Sequence, residues 1–102
     1  MKCLTLIVHQ SAKQHLLDLL SSTPEVPGFT LVQAEGHTDH TGDNPFESIR
    51  DRVLGYVPRI RVDVLLEDDA VDPVLARLRD CESCMKGRGI WWVTSVATHG
   101  TL

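Results

Sequence analysis

The chain has 102 residues, of which 14 are acidic, 10 are basic and 42% are apolar, and its formal net charge is -4. This length fits one domain, residues 1–102, and neither half has the basic excess that nucleic-acid binding requires. No apolar run approaches the roughly 20 residues of a membrane span, so we expect a cytoplasmic protein that does not insert into a membrane.

Hydrophobic periodicity predicts six elements in the order β-α-β-β-α-β. The predicted strands are 2–8, 29–36, 57–66 and 90–97, and the helices begin near Ser11 and Asp68. Ser11 and Gln14 have the spacing of a capping box. The order predicts an α+β, ferredoxin-like βαββαβ sandwich, in which two helices cover one face of a four-stranded antiparallel sheet. Trp91 and Trp92 are adjacent, so one of them must leave the helix-covered face, and we expect association through the uncovered face.

A long connection, residues 37–56, separates the second and third strands. About 20 residues without a strand pattern is unusual in a small domain and is typical of a functional loop. Asn44, Pro45 and Gly55 have the positions of cap, first-turn and terminating residues, and predict a short helix within this connection. The remainder is polar, and we place the function of the protein in this connection.

Histidines and acids at the start of this connection could bind a metal. His37, Asp39, His40 and Asp43 offer imidazole and carboxylate ligands suited to zinc, copper or nickel. Two histidines fall short of a complete ligand set, so the alternative is that they are solvated loop residues. Arg59 and Arg61 alternate on one strand face, where they would face solvent, pair between subunits or recruit a small anion.

Cys81 and Cys84 form a Cys-x-x-Cys pair after the second helix. Two thiolates at this spacing can chelate copper(I) or zinc, or form a redox pair. A zinc ribbon needs a second such pair, and a redox pair is expected at the start of a helix instead of its end. The alternative is a pair of partly buried cysteines at a helix end. Three cysteines are too few and odd in number for a disulfide framework, which fits a reducing compartment.

Several segments together resemble the PII-like superfamily of nitrogen regulatory proteins. They are 24–30 before and into the second strand, 35–37 after it, 49–53 near the end of the long connection, and 91–96 in the last strand. The resemblance implies a homotrimer whose long connection is a T-loop. It is greatest to a small PII-like family often encoded beside heavy-metal efflux pumps of the resistance-nodulation-division type. That resemblance implies a signalling or accessory role in metal resistance, with a membrane efflux transporter as partner and a metal or small effector near the T-loop base.

A glycine turn holds phosphate in the nucleotide-binding PII proteins, and Lys86, Gly87, Arg88 and Gly89 occupy the corresponding stretch here. Backbone N–H groups in such a turn can bind an anion. The glycine pattern is shorter than the nucleotide-binding one, and the tail after the last strand lacks basic residues, so nucleotide binding is the alternative and not the leading hypothesis. A ligand-free interaction trimer is a further alternative. We expect no catalysis, because the sequence has neither a Gly-x-Ser-x-Gly elbow nor a His-Glu-x-x-His motif.

Overall fold

The computed structural model describes residues 1–37, 55–85 and 89–102. The strands are β1 (Lys2–His9), β2 (Thr30–Gly36), β3 (Val57–Leu66) and β4 (Ile90–Ser95), and the helices are α1 (Lys13–Ser21), α2 (Val71–Asp80) and α3 (Glu82–Met85). Short 3-10 turns, Gln10–Ala12 and Asp68–Ala70, lead into α1 and α2. The predicted ferredoxin-like fold is confirmed. The predicted helix in residues 44–54 lies outside the described residues.

The four strands form one antiparallel sheet with the order β2-β3-β1-β4. β1 pairs with both β3 and β4 and is therefore a central strand of the sheet. β3 has the predicted bounds, whereas β4 ends at Ser95, two residues earlier than expected. α3 was not predicted, because four residues are too few to show a helical period.

The core lies between the sheet and α1 and α2, and alternation along β1 and β3 builds it. On the sheet side, the core consists of fully buried aliphatic residues, namely Leu4, Leu6, Val8, Ile60, Val62, Val64 and Leu66. Leu16 and Leu20 of α1 and Val74 and Leu78 of α2 are likewise buried and belong to the same cluster. Each fully buried aliphatic side chain contributes about 1.5–3 kcal/mol relative to an exposed one.

The start of α1 differs from the prediction. His9 caps the 3-10 turn, because its Nδ1 accepts a hydrogen bond of 3.0 Å from the backbone N–H of Ser11. Gln14 donates its side-chain N–H to Asp18 at 2.9 Å and does not reach back to Ser11. The predicted capping box is therefore wrong, since Ser11 lies inside the turn that His9 caps.

The face of the sheet away from the helices carries exposed apolar side chains. The register places Val32, Arg61, Ile7 and Ile90 in one row across the four strands, and Thr30, Asp63, Thr5 and Trp92 in the next. Val32 is 49% exposed and Ile90 is 55% exposed. Trp91 and Trp92 occupy opposite faces, as predicted. None of the helices among the described residues is both long and apolar enough to cross a membrane.

Candidate functional site at the base of the long connection

A cavity lies at the end of the sheet where the long connection leaves β2 and rejoins β3. Its volume is about 240 Å³, and residues on both sides of the undescribed segment 38–54 contribute to its wall. The lining residues are Gln10, Gln33, Ala34, Glu35, Tyr56, Pro58 and Arg59. The size suits a small ion or one group of a larger ligand, since pockets for drug-sized molecules are about 300–1,000 Å³.

Arg59 is the basic residue among those that line this cavity, and its side chain lies directly over Gly36. A Cβ atom added at Gly36 would fall 2.7 Å from the Cδ atom of Arg59, and closer still to its Nε atom. Glycine is therefore the residue that lets the arginine side chain lie flat across the end of β2. No carboxylate of the described residues forms an ion pair with Arg59. Its guanidinium is thus a donor group without a charged partner in the described part of the chain.

His37 and Tyr56, at the two ends of the long connection, lie close to each other. The Nε2 atom of His37 lies 3.1 Å from a carboxylate oxygen of Glu35, and the rings of His37 and Tyr56 lie 6.2 Å apart. The histidine and the glutamate side chains are 65% and 62% exposed, so their pairing contributes little to stability. Gly55 has a φ of 76°, in the left-handed region that favours glycine.

The predicted metal ligands are only partly placed by the structure. His37 lies beside Glu35, which is a lining residue of the cavity, while Asp39, His40 and Asp43 lie outside the described residues. Within residues 1–37, 55–85 and 89–102, no three histidine, cysteine or acidic side chains are grouped to hold a metal ion. Of the predicted anion-binding turn, Lys86, Gly87 and Arg88 lie outside the described residues, and Gly89 is half-buried.

Cys81 and Cys84 are joined by a disulfide, which the cysteine count did not lead us to expect. Cys84 is fully buried, and Cys81 is half-buried and packs against the core. In this form neither sulfur is a thiolate, the species that binds metal. The disulfide-bonded pair therefore offers no thiolate ligand to a metal, and Cys3 is the free cysteine among the three.

The two alternating arginines of β3 have different surroundings. Arg61 forms a bidentate pair with Asp63, with N–O distances of 3.1 and 3.3 Å, and its guanidinium lies 5.7 Å from the ring centre of Trp92. Thr5, which is 2% exposed, donates its hydroxyl to Asp63 at 2.7 Å. Partial burial disfavours the Asp63 carboxylate, but the hydrogen bonds from Arg61 and Thr5 outweigh it and hold its pKa below the ordinary value.

The sequence patterns did not predict Gln10, Gln33 and Tyr56 as site residues, although all three line the cavity. No motif marks them, because the cavity forms only when the end of β1 and the adjacent ends of β2 and β3 meet in the sheet. Arg59 was named only as one of two arginines that could recruit an anion. Its position over a glycine at the end of the neighbouring strand is the feature that separates it from Arg61.

Solved structures of similar fold identify the architecture as PII-like. CPII, a nitrogen regulatory PII-like protein from Thiomonas intermedia K12 solved with ADP, AMP and bicarbonate, superposes with a TM-score of 0.69 at 20% identity, over 99% of this chain and 94% of that one. A DUF3240 family protein from Shewanella baltica OS155 gives a TM-score of 0.76 at 19% identity, with the same coverage of 99% and 94%.

The chain belongs to the DUF3240 family, described as proteins of unknown function, since the model of that family matches residues 1–102. No curated protein matches the chain. The likeness to CPII shows that the chain has a PII-like fold, which is the fold that the resemblance of its sequence implied.

Proposed function

We propose that this protein is a PII-like regulatory protein that binds a small oxyanion effector in the cavity at the base of the long connection. The observation that carries the proposal is the position of the cavity, whose lining comes from both sides of segment 38–54. A ligand held there contacts residues that precede and follow the segment. Binding therefore changes the conformations open to the whole connection, which is how an effector would be signalled to a partner.

The chemistry of the cavity favours an anion. Arg59 offers a planar, charged donor group, Gln10 and Gln33 offer amide donors, and Tyr56 offers a hydroxyl. Arginine and planar oxyanions match in a bidentate geometry. Glu35 is the acid in the lining, and its carboxylate is already paired with His37 at 3.1 Å. The structural neighbour CPII was solved with bicarbonate and adenine nucleotides, and these are the first ligands to test.

Isothermal titration with bicarbonate, phosphate, AMP and ADP tests the proposal, with Arg59→Gln and Arg77→Gln as a matched pair of variants. Each removes one positive charge, but Arg77 is an exposed residue of α2 outside the cavity. We expect Arg59→Gln to weaken oxyanion binding by about 10- to 100-fold, because a hydrogen bond to a charged group contributes about 1.5–3 kcal/mol. Equal losses in both variants, or no binding by the unaltered protein, would refute the proposal.

A metal is the second candidate effector, and His37 is the described residue that favours it. Its imidazole lies 3.1 Å from the carboxylate of Glu35, a lining residue of the cavity, in a chain of net charge -4. Together with Asp39, His40 and Asp43 it would bind zinc, copper or nickel. Cys81 and Cys84 would be ligands only after reduction of their disulfide. Stabilisation by zinc that is lost in His37→Ala and retained in His99→Ala, an exposed tail histidine, would favour this candidate.

We propose that the protein is a homotrimer assembled through the sheet face opposite the helices. Val32, Leu65 and Ile90 are 41–55% exposed on that face, and Trp92 is 36% exposed. Apolar patches of this kind mark association surfaces. The mass in solution by native mass spectrometry tests it: a trimer agrees, and a monomer at micromolar concentration contradicts it. A trimer that binds none of the ligands tested would favour the ligand-free interaction protein.

A cytoplasmic, non-catalytic accessory role beside a heavy-metal efflux transporter completes the proposal. Its support is the resemblance of segments 24–30, 35–37, 49–53 and 91–96 to the PII-like family encoded beside such pumps. Metal tolerance of cells lacking the protein, and affinity capture of a transporter from their membranes, are the tests. Unchanged tolerance to zinc, copper and nickel together with no captured transporter would exclude the role.

A further inference from the structure

The disulfide between Cys81 and Cys84 has an asymmetric environment. Cys84 is fully buried within the main core cluster. Cys81 is half-buried and follows the last residue of α2. The bridge therefore joins a partly exposed residue to a fully buried one.

We infer that this disulfide is a thiol–disulfide exchange site, with Cys81 as the sulfur attacked by an external dithiol, and that exchange at it controls the order of α3. The inference is independent of the effector proposed for the cavity, because none of the cavity's lining residues lies in α2 or α3. It concerns the segment that leads from α2 towards β4.

The exchange proceeds in two balanced steps. One thiolate of the dithiol attacks the Cys81 sulfur, the Cys81–Cys84 bond breaks, and Cys84 leaves as a thiolate that takes up a proton. The second thiolate of the dithiol then attacks the mixed disulfide and expels the Cys81 thiolate, which is also protonated. The protein disulfide is reduced to two thiols, and the dithiol is oxidised to a disulfide. Because a thiolate is disfavoured in the apolar surroundings of Cys84, local opening of α3 accompanies the first step.

The disulfide is important for α3 because few interactions within this short segment stabilise the helix. α3 has four residues, too few for a stable isolated helix. The backbone N–H of Cys81 donates to Leu78 at 3.2 Å at the end of α2, and the backbone N–H of Cys84 donates to Cys81 at 3.1 Å in the first turn of α3. α3 also contacts α1, α2 and β1, so its opening exposes part of the core.

Thiol reactivity tests which sulfur is attacked. In a Cys3→Ser background, Cys84→Ser leaves the thiol of Cys81, and Cys81→Ser leaves the thiol of Cys84. With a chromogenic aromatic disulfide as probe, we expect the Cys81 thiol to react at least about tenfold faster, because reaction of a buried thiol waits for local opening. Equal rates, or a faster Cys84 thiol, would overturn the assignment of Cys81. A guanidinium-unfolded control, in which both thiols react at similar rates, separates burial from intrinsic reactivity.

Amide hydrogen exchange tests the effect on α3 in the otherwise unaltered protein. After reduction with dithiothreitol we expect the amides of residues 81–85 to lose protection by about tenfold or more, while those of β1 and β3 are unchanged. The Cys81→Ser, Cys84→Ser double variant should reproduce the reduced pattern without dithiothreitol. Unchanged protection at 81–85 after reduction would refute the control of α3, and intact-mass analysis that finds three thiols in the air-oxidised protein would refute the exchange site itself.

Discussion

Replacement of Gly36 by alanine is a test of the cavity that leaves every charged group of the protein in place. The new Cβ would fall 2.7 Å from Cδ and 3.2 Å from Cγ of Arg59. The atoms it meets belong to a flexible side chain, so the guanidinium is displaced and the backbone of β2 is not. Gly28→Ala is the matched control, because a Cβ atom there meets nothing within 4 Å.

The two alanine variants should separate stability from binding. Both gain about 0.4–1 kcal/mol from the loss of unfolded-state entropy, and the displacement of Arg59 offsets part of this gain in Gly36→Ala. For oxyanion binding we expect the affinity of Gly36→Ala to fall by about 10- to 100-fold, the equivalent of a lost charged hydrogen bond of about 1.5–3 kcal/mol. Gly28→Ala should bind like the unaltered protein. Urea unfolding and isothermal titration measure both quantities, and unchanged binding by a folded Gly36→Ala would refute the role assigned to Arg59.

Three further substitutions test the sheet face and the long connection. Thr5→Val should lower the free energy of unfolding by about 1.5 kcal/mol in urea at pH 7. The pKa of Asp63 in the folded protein is below its ordinary value of 3.8. The ionised carboxylate therefore stabilises the fold fully at pH values well above 3.8, and this stabilisation is lost as the pH falls through the folded-state pKa. A cost that does not decline as the pH is lowered below 3.8 would contradict this. Ile90→Lys should reduce the assembly to monomers by native mass spectrometry while Glu25→Lys does not. Gly55→Ala should lower the free energy of unfolding by about 1–2 kcal/mol, because φ there is 76°, and an unchanged midpoint would contradict it.

The fold could be predicted because its strands alternate cleanly. Along β3, Ile60, Val62, Val64 and Leu66 face the core in strict period two, and the predicted bounds 57–66 are those observed. The helix start was less predictable, since Ser11 and His9 both offer a side-chain acceptor for a cap. Which of them caps depends on where β1 ends, and β1 runs one residue further than its apolar pattern, to His9.

The candidate site could be predicted only in location. The excess length of the connection predicts a functional role for residues 37–56, but the cavity at its base is lined by residues distant in sequence, such as Gln10 and Arg59. Arg59 and Arg61 share a strand face, and the register alone decides that one lies beside Gly36 and the other near Trp92. The disulfide was missed because a count of cysteines does not report the distance between Cys81 and Cys84, whose Cα atoms are 5.3 Å apart.

The most direct test of the proposed effector site is to titrate the isotope-labelled protein with bicarbonate and to measure the chemical shifts of its backbone amides by NMR at each concentration. The account predicts saturable shifts at residues 33–37 and 55–59, which flank the long connection, with none at Lys2, Leu66 and Ser95, which lie at the opposite end of the sheet. The same titration with phosphate extends the test to a second oxyanion. Saturable shifts confined to the opposite end, or none with either anion, would contradict an oxyanion effector at the base of the connection.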